Sequence, residues 1–534
     1  MARRAAKGGT GVHLTFGEDP ATSVVVSWLT ADEPPRSRTP WAARPAVRFA
    51  PADTAPDSDA GGAEATAPAG PASEVSAEPA SGVSGAPGER VTHAETRTYR
   101  DAQRRKVHVQ HARLRGLQPD TRYRYVVEPP LDDGEPSGGE FRTGPAAETA
   151  FTFTCFGDHG TDQPEDPYGS PASGEVVTAL DSLDPLFQLV LGDLSYASLR
   201  ESPPRAWQDW FQMIAPSARR RPWMPVAGNH ETERDVGKYG LDSYQAYFDL
   251  PANGAGRDYE GLWYAFTVGR ARFVVVVAED VCYQAHGLVY LRGFSDGRQT
   301  AWLTRTLAAA RQDPTIDWVI VAMHQVAMSS AAHHNGGDLL LRREWLPIFD
   351  RHQVDLVLCG HEHHYERTVP VRGVVPGAQL LTPRPATGQD ETPPPPAAEA
   401  PTTQEAVLAR QRAHQARTAT VEVVDTTVGT VHLTLGTGGS STPSADALLH
   451  PPAGRVVIEP EVYGGRQRSI HADEPAPWLA ARSSEHPYAF AAFTVDPGTP
   501  GATTTIRLTL HDTFAPDAPP FDEVLFTRPR ADSA

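Results

Sequence analysis

Gly192-Asp193-Leu194-Ser195-Tyr196 sets a carboxylate and a phenol three residues apart, directly after the apolar run Phe187 to Leu191. Four further apolar runs end on groups of the same kind. Phe151 to Phe156 leads into Gly157-Asp158, Pro225 to Ala227 into Gly228-Asn229-His230, Trp318 to Met323 into His324, and Leu356 to Cys359 into Gly360-His361-Glu362-His363-His364. Carboxylates, a phenol, an amide and imidazoles form a mixed N/O donor set without thiolate, which suits hard and borderline cations. Seven of the 20 histidines lie between His324 and His364, a density that a solvated surface does not require but a metal site does. One chemistry that such a set can serve is metal-assisted hydrolysis of a phosphate ester. The ester's oxygens repel an incoming hydroxide, and two ions about 3.5–4 Å apart, bridged by one carboxylate, remove that repulsion and generate the hydroxide.

These groups are spread from Asp158 to His363, so they meet only if their strands lie side by side. Open α/β sheets bind ligands outside the carboxyl ends of their strands, which is where all five runs deliver their polar residues. Between Ala150 and Arg367 the strand-like runs alternate with amphipathic stripes: Val176, Val177, Leu180 and Leu183; Trp302, Leu303 and Leu307; Trp345, Leu346 and Phe349. Later runs, Val431 to Leu435, Tyr488 to Val495, Ile506 to His511 and Val524 to Thr527, have no helices between them and read as a second sheet packed on the first. The predicted fold class is α/β, a layered α/β/β/α domain over residues 149–530, with a low-complexity insertion over 382–403 and nearby helix only from Gln404 to Arg412.

Residues 11–146 read as a separate all-β module. Val24 to Leu29, Val47 to Ala50, Lys106 to Arg113 and Thr121 to Val127 are its strands. Tyr123 follows the turn Gly116 to Asp120 at the spacing of a tyrosine corner, and Trp28 lies on an early strand, as in a fibronectin type III sandwich. A packing module without chemistry of its own is the preferred reading. Residues 51–89 are Ala, Pro, Gly, Ser and Glu with almost no large apolar side chain, so a disordered insertion is expected there.

The chain's 534 residues exceed what one core organises, in keeping with two domains. Its net charge of −18 argues against nucleic-acid binding. Cys155, Cys282 and Cys359 are too few for a disulfide framework, and the two inside strand-like runs, Cys155 and Cys359, read as small buried hydrophobes. No run approaches the roughly 18 uninterrupted apolar residues of a membrane span. Arg3-Arg4 is similar to a twin-arginine signal, but Lys7-Gly8-Gly9-Thr10 stands where an apolar segment belongs, so no export signal is expected in the sequence as written.

Asp158-His159-Gly160, Gly192-Asp193-Leu194-Ser195-Tyr196, Gly228-Asn229-His230-Glu231, Val321-Ala322-Met323-His324 and Gly360-His361-Glu362-His363 resemble, in order, the five motifs of the purple acid phosphatases, within the calcineurin-like metallophosphoesterases. Tyr365-Glu366-Arg367 continues the last motif as that family does. Any single motif is weak, but five in order at strand ends are specific. The resemblance spans about residues 11–530, because purple acid phosphatases of this type carry an N-terminal fibronectin-like domain.

The resemblance implies that Asp158, Asp193, Tyr196 and His363 hold Fe(III), and that Asp193, Asn229, His324 and His361 hold a divalent Fe, Zn or Mn, with Asp193 bridging. Hard anionic donors on the more charged ion and neutral imidazoles and amide on the other agree with ligand chemistry. It places His230, and one of His333 and His334, on the substrate side as phosphate or leaving-group donors. His159, Glu231, Glu362 and His364 read as supporting groups, Tyr365 and Arg367 as packing and pairing beneath the metal loop, and Val281 to Gly297 as a stretch able to line the pocket. The expected activity is hydrolysis of small-molecule phosphomonoesters by a metal-bound hydroxide. A phosphodiesterase with the same metals is the alternative, and a non-catalytic surface-interaction protein the remaining one. The family resemblance also implies a secreted or cell-envelope location.

Overall fold

The computed structural model describes residues 10–533 apart from 31–43, 53–87, 131–136, 147, 165, 167–168, 285–286, 334, 387–420, 441–443, 445 and 464–465. The N-terminal part is all-β. Thr10–Phe16, Ser23–Thr30, Lys106–Arg115 and Glu95–Arg100 form one four-stranded sheet in that order, and Arg90–His93, Ala46–Pro51, Arg122–Glu128 and Gly138–Arg142 the other. Along Arg122–Glu128, Tyr123, Tyr125 and Val127 are buried while Arg122 and Val126 are exposed, the period of two that a half-buried strand needs. Trp28 and Leu114 of the first sheet share a core with Phe49 and Tyr125 of the second. The Tyr123 hydroxyl accepts a hydrogen bond from the Gln118 N–H at 2.9 Å, which makes the expected tyrosine corner.

The insertion expected over 51–89 begins later and ends earlier. Pro51 still pairs with Tyr123, the Ala52 N–H donates to the Arg122 carbonyl at 2.9 Å, and Glu89 pairs with Arg48 at 3.2 Å. Residues 53–87 lie outside the described residues. The 382–403 insertion is likewise shortened at its start. Pro383–Pro385 pairs with Val371–Val374, and the Thr382 hydroxyl donates to Glu474, so a backbone that reads as low complexity is held by its partners. Residues 387–403 and the Gln404 to Arg412 helix lie outside the described residues.

Two seven-stranded sheets build the second part. The first runs Trp223–Pro225, Phe187–Val190, Phe151–Phe156, Ala489–Asp496, Thr503–Asp512, Asp522–Pro529, Glu422–Asp425; the second runs Tyr264–Val268, Ala271–Val275, Trp318–Met323, Leu356–Cys359, Val431–Leu435, Tyr365–Thr368, Leu479–Ser483. Phe153 stacks on Phe187 at 5.1 Å and Phe493 at 4.8 Å within the first sheet, and meets Phe273 of the second edge-on at 5.1 Å. Such pairs contribute about 0.5–1.5 kcal/mol each beyond burial and lock one sheet against the other. Helix Pro171–Asp181 packs on Ala489–Asp496, and helix Arg298–Gln312 on Ala271–Val275 and Trp318–Met323, which completes the α/β/β/α layering.

Register fixes where the strands end. Val190 lies opposite both Phe156 and Pro225, and Met323 opposite Cys359, all in parallel pairs. The five polar exits therefore leave the two sheets at one level. The sheets join there, because Gly157 N–H donates to the Leu435 carbonyl at 2.8 Å.

Three elements differ from the sequence reading. The strand before Asn229 is Trp223–Pro225, so Val226 and Ala227 already belong to the exit loop. Trp345 separates two short helices, Leu339–Glu344 and Leu346–Arg351, instead of lying on one stripe. Helix Pro203–Ala218, opened by proline and burying Ala206, Trp207, Trp210, Phe211, Ile214 and Ala218, carries the first strand of the sandwich, whose His13 stacks on Phe211 at 4.4 Å. The Asp249 carboxylate receives Arg113 Nε at 2.6 Å and Nη2 at 2.9 Å, a bidentate clamp from the sandwich to the larger part. Among the described residues no helix is long and apolar enough to cross a membrane.

Candidate metal centre

Four of the seven expected ligands occupy the left-handed region: Asp158 (φ 58°), Asp193 (φ 51°), Tyr196 (φ 52°) and His361 (φ 69°). Non-glycine residues adopt it rarely, and such strain persists where surrounding contacts hold it at a working site. One of those contacts is Glu231. Its buried carboxylate accepts N–H bonds from Gly228 at 2.7 Å, Asp193 at 2.8 Å and Leu194 at 2.9 Å, tying the Asp193 and Asn229 loops together. Gly192 (φ 89°) is required for a second reason, since a Cβ there would lie 2.6 Å from His324 Nδ1.

Asp193, Asn229, His324 and His361 converge in one cluster. His324 Nδ1–H donates to the Leu191 carbonyl at 2.6 Å, which fixes the proton on that nitrogen. The His324 Nε2 lone pair is thereby aimed at Asn229 Oδ1, 3.0 Å away, and Asp193 Oδ2, 3.3 Å away. His361 repeats the device. Its Nε2 donates to Gln284 Oε1 at 2.9 Å, which turns Nδ1 toward Asn229 Oδ1 at 3.0 Å and His324 Nε2 at 3.3 Å. Two imidazole lone pairs, an amide oxygen and a carboxylate thus face one another, an arrangement that repels itself unless a cation sits among them. Asp193, His324 and His361 each bring a donor atom within 4.8 Å of the others. Burial disfavours charge on His324, yet the Asp193 carboxylate raises its pKa, and burial of Asp193 is overridden by His324 and His230, which hold its carboxyl low. Both shifts express a demand for positive charge at this point.

Asp158, Tyr196 and His363 form the neighbouring cluster. Tyr196 Oη is 3.4 Å from Asp158 Oδ1 and 3.2 Å from His363 Nε2, and His363 Nε2 is 3.2 Å from Asp158 Oδ1. Asp158 Oδ2 accepts the His361 backbone N–H at 2.8 Å, which links the two clusters. Burial, reinforced by Asp158, raises the Tyr196 phenol well above its ordinary value. A phenolate at this position therefore requires a cation. The donor chemistry of both clusters fits a pair of metal ions, with oxygen anions concentrated in this second one.

His230 lies at the edge, its ring 4.6 Å from that of Tyr196 and its Nε2 3.9 Å from Asp193 Oδ2. Its Nδ1 lies 3.3 Å from the Ser198 hydroxyl, which leaves Nε2 turned toward the site. His333 is exposed on the loop after Trp318–Met323, and His334 lies outside the described residues. The supporting groups are placed by their partners. His159 Nε2 donates to the Ser173 carbonyl at 2.9 Å and its Nδ1 accepts from Trp210, His364 pairs with Glu366 at 2.6 Å, and Glu362 is buried. Tyr365 and Arg367 both bond Asp522, Arg367 Nε at 2.9 Å.

Two site residues were not found by sequence reasoning. Gln284 orients His361 and is itself held by the Gly336 carbonyl at 2.8 Å; it falls inside the Val281 to Gly297 stretch, whose loop composition gave no reason to single it out. Ser440 Oγ is 2.9 Å from Tyr196 Oη and donates to the Asp158 carbonyl at 2.9 Å. Its signal was the glycine-rich exit Gly436 to Ser440 after strand Val431–Leu435, a sixth strand end of the same kind.

The chain matches the family described as Calcineurin-like phosphoesterase over residues 151–365 and that described as Purple acid Phosphatase, N-terminal domain over residues 10–143. It is 39% identical to an uncharacterized protein of Mycobacterium tuberculosis, across 97% of this chain and 87% of that one. The Fe(3+)-Zn(2+) purple acid phosphatase 12 of Arabidopsis thaliana is 27% identical over 53% of this chain and 56% of its own length. A purple acid phosphatase from yellow lupin (Lupinus luteus) seeds shares the fold, with a TM-score of 0.63 at 18% identity, covering 99% of this chain and 76% of that one.

Proposed function

The chain belongs to the purple acid phosphatases, within the calcineurin-like phosphoesterases, and is a metal-dependent phosphoesterase; from that premise we propose that it hydrolyses phosphomonoesters of small molecules at a binuclear centre. Asp158, Tyr196 and His363, which lie within 3.4 Å of one another, would hold Fe(III), Asn229, His324 and His361 would hold a divalent Fe, Zn or Mn, and Asp193 would serve both. The observation that carries this reading is the pair of imidazole lone pairs, fixed by Leu191 and Gln284, that face the Asn229 amide oxygen at 3.0 Å, with the Asp193 carboxylate 3.3 Å from His324. The catalytic domain is taken as residues 149–530 and the sandwich as 11–146.

When bound, the ions polarise the phosphoryl group and activate the hydrolytic water. The protein's own groups position and donate. Leu191 and Gln284 fix which nitrogen of each histidine faces inward, and Glu231 fixes the loop carrying Asp193. His230, with Nε2 directed inward, binds a phosphoryl oxygen and, as the imidazolium, delivers a proton to the leaving alcohol and ends as the neutral ring, a role worth roughly 10²- to 10⁴-fold in rate. One of His333 and His334 supplies the second donor. The test is hydrolysis of a mono-aryl against a bis-aryl phosphate by protein loaded with iron and zinc. Preference for the mono-aryl ester is expected; preference for the bis-aryl ester makes it a diesterase, and no hydrolysis of either by metal-replete protein overturns both readings.

A further inference from the structure

Glu279 lies in the short turn Ala278–Asp280 that follows strand Ala271–Val275, the parallel neighbour of the strand ending at His324. The Val276 N–H extends that pairing by donating to the Ala322 carbonyl at 3.0 Å, so the turn emerges beside His324 and Gln325. The Glu279 side chain is buried, with 5% of the residue exposed, and neither carboxylate oxygen makes a hydrogen bond of good geometry, Gln325 and the Glu279 backbone being the weak donors that act on it. The adjacent Asp280 shows what a satisfied carboxylate looks like here. It accepts from Ser295 N–H at 3.1 Å, from the Ser295 hydroxyl and from Gln299 Nε2 at 3.0 Å.

The group that Glu279 faces is Gln325, and the charged groups acting on it are His324 and Asp193. Gln325 is itself poised between two tasks. Its Nε2 lies 3.4 Å from Asn229 Oδ1, and its Oε1 is buried without a partner. A carboxylate sealed from water with donors this weak is unfavourable unless further positive charge lies near. The unfavourable state is relieved if the cation belongs to the working protein. Asp158, Asp193 and Tyr196 are the only anions in the proposed ligand set, so a trivalent and a divalent ion together retain excess positive charge.

We propose that Glu279 is a positioning residue of the metal centre: without touching a metal, its buried carboxylate acts through Gln325 on Asn229 and balances charge at the divalent position. This rests on the binuclear reading. Burial pushes the Glu279 carboxyl up to about 7, opposed by His324, because in the metal-free protein its charge is poorly compensated. Removing the charge then has opposite effects on the two forms.

Wild-type, E279Q and E279D proteins are stripped with chelator, reloaded with iron, and titrated with zinc at pH 8, while thermal midpoints of the metal-free forms are recorded. E279Q is expected to bind zinc about 10- to 100-fold more weakly, as for other residues that support metal ligands. Its metal-free midpoint is expected to rise, and E279D to keep most of the wild-type affinity. Equal zinc affinity in E279Q, an equal loss in E279D, a lowered metal-free midpoint, or an E279Q protein that does not fold each overturns the inference. Wild-type protein that binds no zinc instead refutes the binuclear reading, and Glu279 with it.

Discussion

An alanine at Gly228 would set its Cβ 2.4 Å from Asp193 Oδ1, 2.7 Å from Asp193 N and 2.9 Å from His324 Cδ2. Gly228 itself has φ −101° and ψ −173°, an extended conformation open to any residue, so the whole effect is steric. Contacts between heavy atoms relax near 3.5 Å, and the Asp193 carboxylate must therefore retreat by roughly 1 Å. Overpacking of this kind costs about 1–3 kcal/mol, a few degrees of melting temperature in a chain of this size. The metal centre tolerates far less, since ligand distances are held within about 0.2 Å and a misplacement of about 1 Å costs on the order of 10²-fold in rate. Gly228→Ala should thus remain folded, lose metal on dialysis and lose at least that factor in turnover. Elemental analysis, steady-state hydrolysis and calorimetry read the three effects separately. Gly254→Ala is the control, because it strains a glycine at φ 70° with no atom within 4 Å of the new Cβ and should lower the melting temperature alone. Stoichiometric metal and full turnover in Gly228→Ala would refute the placement of Asp193.

His324→Ala and His361→Ala should each empty the divalent position, whereas His230→Ala should keep both metals and lose roughly 10²- to 10⁴-fold in rate; stoichiometric metal in His361→Ala would remove it from the ligand set. Gln284→Leu leaves His361 Nε2 without an acceptor and should weaken divalent binding about 10- to 100-fold, measured by competition with a chromogenic chelator. His111 is buried at the sandwich boundary, accepting from the Ser27 hydroxyl at 2.8 Å and donating to the Ala246 carbonyl at 3.0 Å, and burial lowers its pKa from 6.5 to about 3. Its stabilising contribution is therefore complete above pH 6.5 and is lost as the pH falls toward 3, by about 3 kcal/mol at pH 4. His111→Gln, which does not titrate, should show a shallower fall of melting temperature between pH 6.5 and 4, and parallel curves would contradict the assignment.

The candidate ligands were legible because each lies within five residues of the end of an apolar run. Trp318–Met323 and Leu356–Cys359 have the boundaries their sequences predicted, and parallel register then brings the exits together without further information. What holds those ligands was harder to read. Gln284 and Ser440 act through single hydrogen bonds made across the fold, which leave no period in the chain. Glu231 was expected to support the site, but its three N–H bonds depend on how two loops meet in space. The helix Pro203–Ala218 and the long hairpin of Gly454–Tyr463 and Arg466–Glu474 also escaped notice: one carries prolines at both ends, the other is a charged ribbon with little apolar alternation. His333 is exposed, and His334 lies outside the described residues.

The centre stands or falls with Tyr196, whose phenol is buried against Asp158 Oδ1 at 3.4 Å and His363 Nε2 at 3.2 Å. A phenolate bound to Fe(III) donates charge to the metal under visible light, and Tyr196→Phe removes one oxygen while leaving the ring packed beside His230 at 4.6 Å. The decisive measurement is the visible spectrum of iron-loaded wild-type and Tyr196→Phe proteins, taken alongside their iron content. The expected result is a pink to purple wild type whose band disappears in the variant. An active, iron-containing wild type without a visible band, or a variant that keeps the band, would contradict the assignment of Tyr196 to iron.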